Sequence, residues 1–285
     1  MHRKDFRCLL RLRVRWAEVD MQKIVFNGHY LTYIDTAMSE YWRAVALPYE
    51  AAMQVLGGEM VVKKATLEYH APARVDDALQ VGMRCAHLGN SSCRFIAAIF
   101  RDDKLLVSGE IVYVFSDLQT QTSRPIPAAL RDIFADYEAG AEMVEVRTGD
   151  WNTLGRDATQ LRMAVFVREQ GIPAEEDADA FDPTALHAVA YNRLGMPIAT
   201  GRLTQEAPGV ARIGRMAVEH SVRGQQWGRR ILEALLAAAR ARGDHLAQLH
   251  AQCSAEGFYH RAGFEAVGAP YEEAGIAHVT MQRAL

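Results

Sequence analysis

The chain of 285 residues carries a net charge of −3, and 49% of its residues are hydrophobic. This length exceeds the roughly 100 to 200 residues usual for one domain, so the sequence predicts two hydrophobic cores. Like charges never accumulate into a long basic block, which argues against a nucleic-acid partner. The four cysteines form neither a CxxC pair nor a zinc-ligand spacing, and no run of about 18 apolar residues marks a membrane span. We therefore expect a cytoplasmic protein without signal peptide, membrane segment or bound metal.

The N-terminal half has the pattern of one strand, one long helix and four further strands. Apolar and polar residues alternate from Leu9 to Val19, as in a strand with one buried face. After the loop DMQKIVFNGHY, apolar residues at steps of three and four predict a helix that ends before Pro48, namely Leu31, Ile34, Met38, Tyr41 and Val45. Alternation then predicts strands at 60–70, 78–88, 92–101 and 104–116, and a short helix at 128–138. This order predicts an antiparallel α+β domain over residues 1–138.

The pattern changes in the second half of the chain. Residues 139–146 show no periodicity and are interpreted as a linker. Beyond them, helices are predicted near 155–170, at 228–242 and at 255–262, and strands at 187–192, 197–204, 210–218 and 245–251, with closing strands at the end. This alternation predicts a mixed α/β domain over residues 147–285.

Asp20 lies in the turn a few residues before the long helix, and Asn27 and Gly28 stand at the start of that helix. A helix N-terminus presents unpaired backbone amides and a partial positive charge, so it is suited to hold the oxyanion of a carbonyl under attack. Asp20 is then the candidate nucleophile or general base. The alternative is that its carboxylate only accepts hydrogen bonds from turn amides.

This segment resembles the hotdog acyl-CoA thioesterases of the 4-hydroxybenzoyl-CoA thioesterase and YbgC type. The shared features are the pattern Asp-x-x-Gly-[Val/Ile]-Val-aromatic, a tyrosine on the helix and YHAP at 69–72, and the resemblance covers residues 9–137. It implies a long helix wrapped by an antiparallel sheet, Asp20 as the catalytic nucleophile or base, and the amide of Asn27 as oxyanion donor. Lys23 departs from the pattern, because the family usually has glycine there.

The same resemblance implies a homodimer or a dimer of dimers built through this domain, with active sites at the subunit boundary. Aromatic residues of the helix are accordingly expected in the core or at a subunit contact: Tyr30, Tyr33 and Trp42. His29 is expected to orient the loop.

A second candidate site lies in the run ARIGRMAVEHSVRGQQWGRRILEALL. A strand, a glycine-bearing turn and a helix N-terminus follow one another there, which makes a cradle for an anion such as a diphosphate. The amides that point at the anion belong to residues 224–229.

This half resembles the GNAT acyltransferases of the ElaA-like branch over about residues 147–285. The motifs are RMAVFVREQ, IGRMAV, the loop from Arg223 to Gly228, GFYHRAGF and YEEAGIAHVTM, and Gln226 replaces the middle glycine of the loop. The resemblance implies that the strand Met216, Ala217 and Val218 pairs with the pantetheine arm of coenzyme A. It implies a diphosphate site at Arg223, Gly224, Gln225, Gln226, Trp227, Gly228 and Arg229. It also implies that Tyr259 protonates the departing thiolate.

The combined interpretation is a bifunctional enzyme with acyl-CoA or acetyl-CoA as substrates and no tightly bound cofactor. The first domain hydrolyses a thioester, and the second transfers an acyl group to an amine. An amine acceptor is protonated near neutrality and needs a base, for which Glu219, His220 and His250 remain open candidates. Two alternatives remain: a thioesterase regulated by a non-catalytic GNAT domain that senses acyl-CoA, and an acetyltransferase dimerised by an inactive hotdog scaffold.

Overall fold

The alternating segments of the N-terminal half form one antiparallel sheet in a computed structural model that describes residues 1–177 and 179–285. The chain divides into two units, Met1–Met143 and Val144–Leu285. Throughout these described ranges, no helix has the length and apolar character needed to cross a membrane.

The first unit is built from a long helix and a six-stranded sheet. Its helices are α1 (Asn27–Ala44), α2 (Tyr49–Leu56) and α3 (Ala128–Glu138). Its strands are β1 (Cys8–Arg13), β2 (Glu59–Tyr69), β3 (Ala78–Leu88), β4 (Ser92–Arg101), β5 (Lys104–Asp117) and β6 (Thr122–Ser123). The order is β1-β3-β4-β5-β2, with β6 beside β5 and every pairing antiparallel. The predicted α+β fold is confirmed, and Pro48, predicted to follow a helix end, is also the residue that immediately precedes α2.

Aromatic packing holds α1 and α3 against the sheet. The ring of Tyr41 meets those of Phe95 and Phe134 edge to face, at 5.0 and 5.8 Å between centroids. Its hydroxyl donates to Glu138 (2.7 Å), so the buried phenol is satisfied. The predicted apolar stripe of α1 is buried except for Leu31, which is 42% exposed although its neighbour Tyr30 is buried.

The second unit contains a mixed sheet of seven strands. They are β7 (Val144–Gly149), β8 (Leu186–Asn192), β9 (Pro197–Ala207), β10 (Val210–Val218), β11 (Leu246–Gln252), β12 (Glu265–Glu273) and β13 (Ile276–Ala284), in the order β12-β13-β11-β10-β9-β8-β7. Only β10 and β11 run parallel among the described strands. The helices are α4 (Trp151–Arg162), continued by a π-helix (Met163–Glu169), α5 (Ala174–Asp177), α6 (Trp227–Arg242) and α7 (Glu256–His260).

Strand β7 starts inside the segment that was interpreted as a linker. Its residues pair with β8 from Val144 opposite Asn192 to Gly149 opposite His187. The strand lies at the edge of the sheet, and apolar and polar residues alternate only over its first four positions, which is too short a run to stand out in the sequence. The connection without regular structure is therefore shorter than residues 139–146.

A buried ionic cluster holds the segment around α5 against the sheet. Arg162, 2% exposed, donates to the carboxylates of Asp177 (3.0 Å) and Asp182 (2.8 Å). Arg202 adds hydrogen bonds to Asp182 and Asp179, both of 2.6 Å. Burial by itself raises the pKa of Asp182, but the hydrogen bonds from Arg162 and Arg202 outweigh it and hold that pKa below its usual value.

We predict that Arg162→Ala lowers the free energy of unfolding by about 3–5 kcal/mol, because Asp177 and Asp182 both lose a buried donor and only Asp182 keeps the hydrogen bond from Arg202. The loss should shrink toward pH 4, because protonation of Asp182 in the variant removes its buried charge. Urea unfolding at both pH values measures this. Arg156→Ala, an exposed position of the same helix, serves as the control and should change stability by less than about 0.5 kcal/mol.

Candidate functional site

The loop between β1 and α1 forms a cleft of about 420 Å³, here called the N-terminal cleft. Asp20, Asn27, Tyr30, Tyr69 and His70 are among the residues that line it. Asp20 and Asn27 are seven positions apart in the sequence, and both lie in the wall of this cavity.

The turn that presents Asp20 is closed by its own backbone. The amide of Asp20 donates to the carbonyl of Ile24, and the amide of Lys23 donates to the carbonyl of Asp20, both at 2.9 Å. The carboxylate Oδ1 of Asp20 accepts from the amide of Gln22 at 2.7 Å, as in the alternative weighed above. Lys23 has a φ of +60°, so the lysine adopts the left-handed conformation that a glycine would favour.

Glu18 fixes this turn to the helix. Its carboxylate, buried to 4% exposure, accepts from the Tyr33 hydroxyl (2.6 Å) and from the amide of Arg15 (2.7 Å). Its carbonyl accepts from the amide of Phe26 at 2.9 Å. The loop therefore has one defined position relative to the start of α1.

Helix α1 begins without a side-chain cap at Phe26. The first turn bond runs from the amide of His29 to the carbonyl of Phe26 (2.9 Å), so the amides of Asn27 and Gly28 precede it. Asn27 lines the N-terminal cleft, whereas Gly28 lines a neighbouring depression of about 310 Å³ with Leu31 and Val62. The predicted pair of amides is therefore divided between two concave surfaces. The helix residues Tyr30, Tyr33 and Trp42 are buried as predicted.

The larger cavity of the second unit, about 650 Å³, is called the C-terminal cleft. Every residue predicted for the diphosphate and pantetheine sites lines it except Gln225, and Tyr259 lines it as well. Sequence reasoning missed Arg261 and Phe258, although both stand in the motif GFYHRAGF.

The cleft exists because two parallel strands separate. β10 pairs with β11 only from Val210 to Ile213, while on its other side β10 remains paired with β9 up to Val218. A bulge between Gly214 and Ala217 bends the strand. The edge of Met216–Val218 that points toward β11 is thereby left without a strand partner in the described parts of the chain.

The loop before α6 presents backbone amides to the same cleft. The first intrahelical bond is donated by Arg230 to the carbonyl of Gln226 (3.1 Å), so the amides of Trp227, Gly228 and Arg229 donate to no helix carbonyl. No side chain caps this helix start. Gln226, which stands where the family pattern has a glycine, has a φ of +64°.

Arg223 is engaged by another side chain. Its guanidinium pairs with both oxygens of Glu169, at 2.6 and 2.7 Å, and its Nε donates to the carbonyl of Val218 (3.0 Å). The hydrogen bonds from Arg223 lower the pKa of Glu169. The Arg223 side chain therefore shapes the loop. Its guanidinium could neutralise a bound ligand only after leaving Glu169.

Tyr259 is 8% exposed and lines the C-terminal cleft. Burial raises the pKa of its hydroxyl to about 12. The phenol is therefore neutral at pH 7 and able to donate a hydrogen bond.

A smaller cavity of about 210 Å³, here the side cavity, adjoins the C-terminal cleft. The two share Gln170, Met216, Gln252, Ala255 and Tyr259 in their walls. Of the three candidate bases, His250 lines the side cavity, whereas Glu219 caps a short turn by accepting from the amide of Ser221 (3.4 Å). His220 has a side chain that is 76% exposed and lies 3.6 Å from Glu169.

Comparison with known proteins assigns each half to a family. The family model described as thioesterase-like superfamily matches residues 14–134, and the one described as acetyltransferase (GNAT) domain matches residues 156–285. Both resemblances predicted from the motifs are thereby confirmed.

Individual relatives match one half each. The uncharacterized N-acetyltransferase YjcF of Bacillus subtilis is 33% identical over 129 residues, which are 45% of this chain and 91% of the relative. A candidate esterase of Aquifex aeolicus is 32% identical over 95 residues, 33% of this chain and 73% of the relative. The acyl-CoA thioester hydrolase YbgC of Escherichia coli is 28% identical over 120 residues, 42% of this chain and 89% of the relative.

We predict that Gln226→Gly raises the free energy of unfolding by about 0.5–1 kcal/mol, because glycine adopts the left-handed conformation without steric cost. Gln225→Gly at the neighbouring position, which lacks a positive φ, should instead lower it by a similar amount. Urea unfolding of both variants measures the difference. Equal destabilisation by the two substitutions would refute the left-handed geometry at residue 226.

Proposed function

The N-terminal half of the chain belongs to the thioesterase-like superfamily and the C-terminal half to the GNAT acetyltransferases, and from this premise we propose a bifunctional acyl-CoA enzyme. In the first unit, acyl-CoA and water give a carboxylic acid and CoA. In the second, acyl-CoA and an amine give an amide and CoA. The observation that carries the proposal is the uncapped helix start found in each unit beside a cavity of suitable size.

For hydrolysis, the proposed catalytic residue is Asp20. Its carboxylate activates a water, or attacks the thioester carbon itself, while the amide of Asn27 donates to the developing oxyanion. Oδ1 is held by the Gln22 amide, so Oδ2 is the oxygen available for this step. The exposed wall residues Tyr69 and His70 offer contacts for the acyl group or the thiol arm.

For acyl transfer, we propose that two stretches of backbone contact the ligand: the edge of β10 and the loop before α6. The free edge of Met216–Val218 hydrogen-bonds to the pantetheine arm, and the amides from Gly224 to Arg229 bind the diphosphate. Arg229 and Arg261, both exposed at the rim, add positive charge.

The proposed role of Tyr259 is to stabilise the departing thiolate. A hydroxyl with a pKa of about 12 is a weaker acid than an ordinary thiol, whose pKa is about 8.5, so complete proton transfer to sulfur would be uphill. Tyr259 therefore acts chiefly as a hydrogen-bond donor to sulfur as negative charge develops.

A homodimer through the first unit is part of the proposal. β2 is the terminal strand of its sheet, and apolar side chains along it are exposed, with Val61 at 41%, Val62 at 51% and Tyr69 at 53%. An edge strand of eleven residues that exposes these apolar side chains on either side of Lys63 and Lys64 can pair with a second copy. Such pairing would also cover the depression beside Gly28.

We predict that Asp20→Asn reduces acceptor-free thiol release from acyl-CoA by at least about 10³-fold, because the amide can neither attack nor accept a proton. A thiol-release assay over short, long and aromatic acyl-CoAs measures this. Asp132→Asn, an exposed aspartate of α3 outside both concave surfaces of this unit, is the matched control. Undiminished hydrolysis by Asp20→Asn would remove Asp20 from the mechanism, and no hydrolysis by the wild type would favour a scaffold role for this unit.

We predict that Tyr259→Phe lowers kcat for amine acylation on the order of 10²-fold, the usual effect of losing one donor to a developing anion. Acetyl-CoA affinity, measured by calorimetry, should stay the same because the ring is retained. An unchanged kcat would take Tyr259 out of the mechanism. Acetyl-CoA could instead bind without turnover over a broad amine panel and change the rate of thioester hydrolysis. This result would favour a GNAT unit that senses acyl-CoA without catalysing transfer.

A further inference from the structure

The segment from Glu18 to Phe26 is a short hairpin with Asp20 near its tip. The amide of Phe26 donates to the carbonyl of Glu18, and the amide of Asp20 donates to the carbonyl of Ile24, both at 2.9 Å. An antiparallel bridge lies between these two hydrogen bonds. Because the hydrogen bonds form a ladder, a displacement of the hairpin base at Glu18 also moves the Asp20 carboxylate.

The same hairpin orients the amide proposed for the oxyanion. The N–H of Asn27 belongs to the planar peptide group whose carbonyl is that of Phe26. Phe26 is held on both sides, because its amide donates to Glu18 and its carbonyl accepts from the amide of His29, each at 2.9 Å. The direction of the Asn27 N–H is therefore fixed relative to the base of the hairpin.

A buried carboxylate ties the base of the hairpin to α1. Glu18, 4% exposed, accepts from the Tyr33 hydroxyl of α1 at 2.6 Å, and from the amide and Nε of Arg15, each at 2.7 Å. Burial by itself raises the pKa of Glu18, but the hydrogen bonds from Tyr33 and Arg15 outweigh it and hold that pKa below its usual value. Since Arg15 lies three residues before Glu18, the hydrogen bond from Tyr33 is the one that joins the base to the helix.

The returning side of the hairpin has a separate anchor. The amide of Val25 donates to the carbonyl of Ala73, and the amide of Ala73 donates to the hydroxyl of Tyr30 on α1, each at 2.9 Å. Loss of the hydrogen bond between Glu18 and Tyr33 therefore leaves the hairpin attached to the helix, but it frees the base to shift.

We propose that Glu18 and Tyr33 are positioning residues for thioester hydrolysis. Their hydrogen bond sets the separation between the Asp20 carboxylate and the Asn27 amide. This inference rests on the hydrolysis proposed for the first unit. The carboxylate and the amide must reach the same carbonyl group, and a displacement of about 1 Å can lower the rate by about 10²-fold.

The test measures kcat and KM for hydrolysis of short, long and aromatic acyl-CoAs. We expect Tyr33→Phe to lower kcat by about 10- to 10²-fold and to leave KM within about twofold, because the walls of the N-terminal cleft are kept. Glu18→Ala should lower kcat by about 10²-fold or more. Glu18→Gln should restore part of that rate, because its side-chain oxygen can accept from Arg15 and its side-chain amide can donate to the Tyr33 oxygen.

Tyr41→Phe is the matched control. It also removes a buried hydroxyl of α1 that donates to a carboxylate, that of Glu138 at 2.7 Å, but Tyr41 has no contact with the hairpin in these hydrogen bonds. Urea unfolding should show similar losses of stability for Tyr33→Phe and Tyr41→Phe, and only Tyr33→Phe should lower kcat.

The other outcomes separate the positioning role from the proposed hydrolysis. If the wild type hydrolyses acyl-CoA and Tyr33→Phe keeps its kcat, or loses rate only through KM, the positioning role is wrong. It is also wrong if Tyr41→Phe lowers kcat as much as Tyr33→Phe, or if Glu18→Gln is no faster than Glu18→Ala. If the wild type hydrolyses no acyl-CoA, the proposed hydrolysis fails, and the positioning role fails with it.

Discussion

Both candidate sites depend on helix starts whose backbone amides have no side-chain cap. Helix α4, which borders neither cleft at its start, is capped by Asp150, which accepts from the amide of Thr153 at 2.9 Å. At Phe26 and Gln226 no such bond exists. Helices α2 and α3 also begin without a side-chain cap, so the starts at Phe26 and Gln226 are distinguished by opening into a cavity. A helix start without a cap costs stability on the order of 1 kcal/mol, and it leaves the same amides available to a ligand carbonyl or diphosphate.

The loops that lead into these helices are held by buried or paired carboxylates. Glu18 binds the first loop through Tyr33 and the backbone of Arg15, and Glu169 binds the second through the guanidinium of Arg223. Lys23 in the first loop and Gln226 in the second stand where the family pattern has glycine. Both residues have a positive φ. The surrounding hydrogen bonds thus offset a local steric cost of roughly 1–2 kcal/mol and preserve the orientation of the amides.

The two cavities of the second unit adjoin where β10 and β11 separate, and they share Met216, Gln252 and Tyr259 in their walls. The bulge in β10 bends this strand away from β11, which exposes backbone for the thioester on one side. The ionic cluster of Arg162 and Arg202 with three aspartates fixes the segment that borders the other side, where Asp177 lines the side cavity. Rigid walls of this kind favour the geometry that acyl transfer needs, because they limit the positions of both reactants.

The sequence alone determined the two folds and the motif residues, because alternation and helical spacing record which faces are buried, as for the strands at 78–88 and 92–101. It did not reveal β7, an edge strand defined by its pairing with β8, nor the exposure of Leu31. Only the tertiary structure separated Gly28 from the cleft of Asp20 and placed His250, of the three candidate bases, in the wall of the side cavity. Local patterns encode burial and backbone conformation, whereas the neighbours of a side chain depend on strands and loops that are distant in the chain.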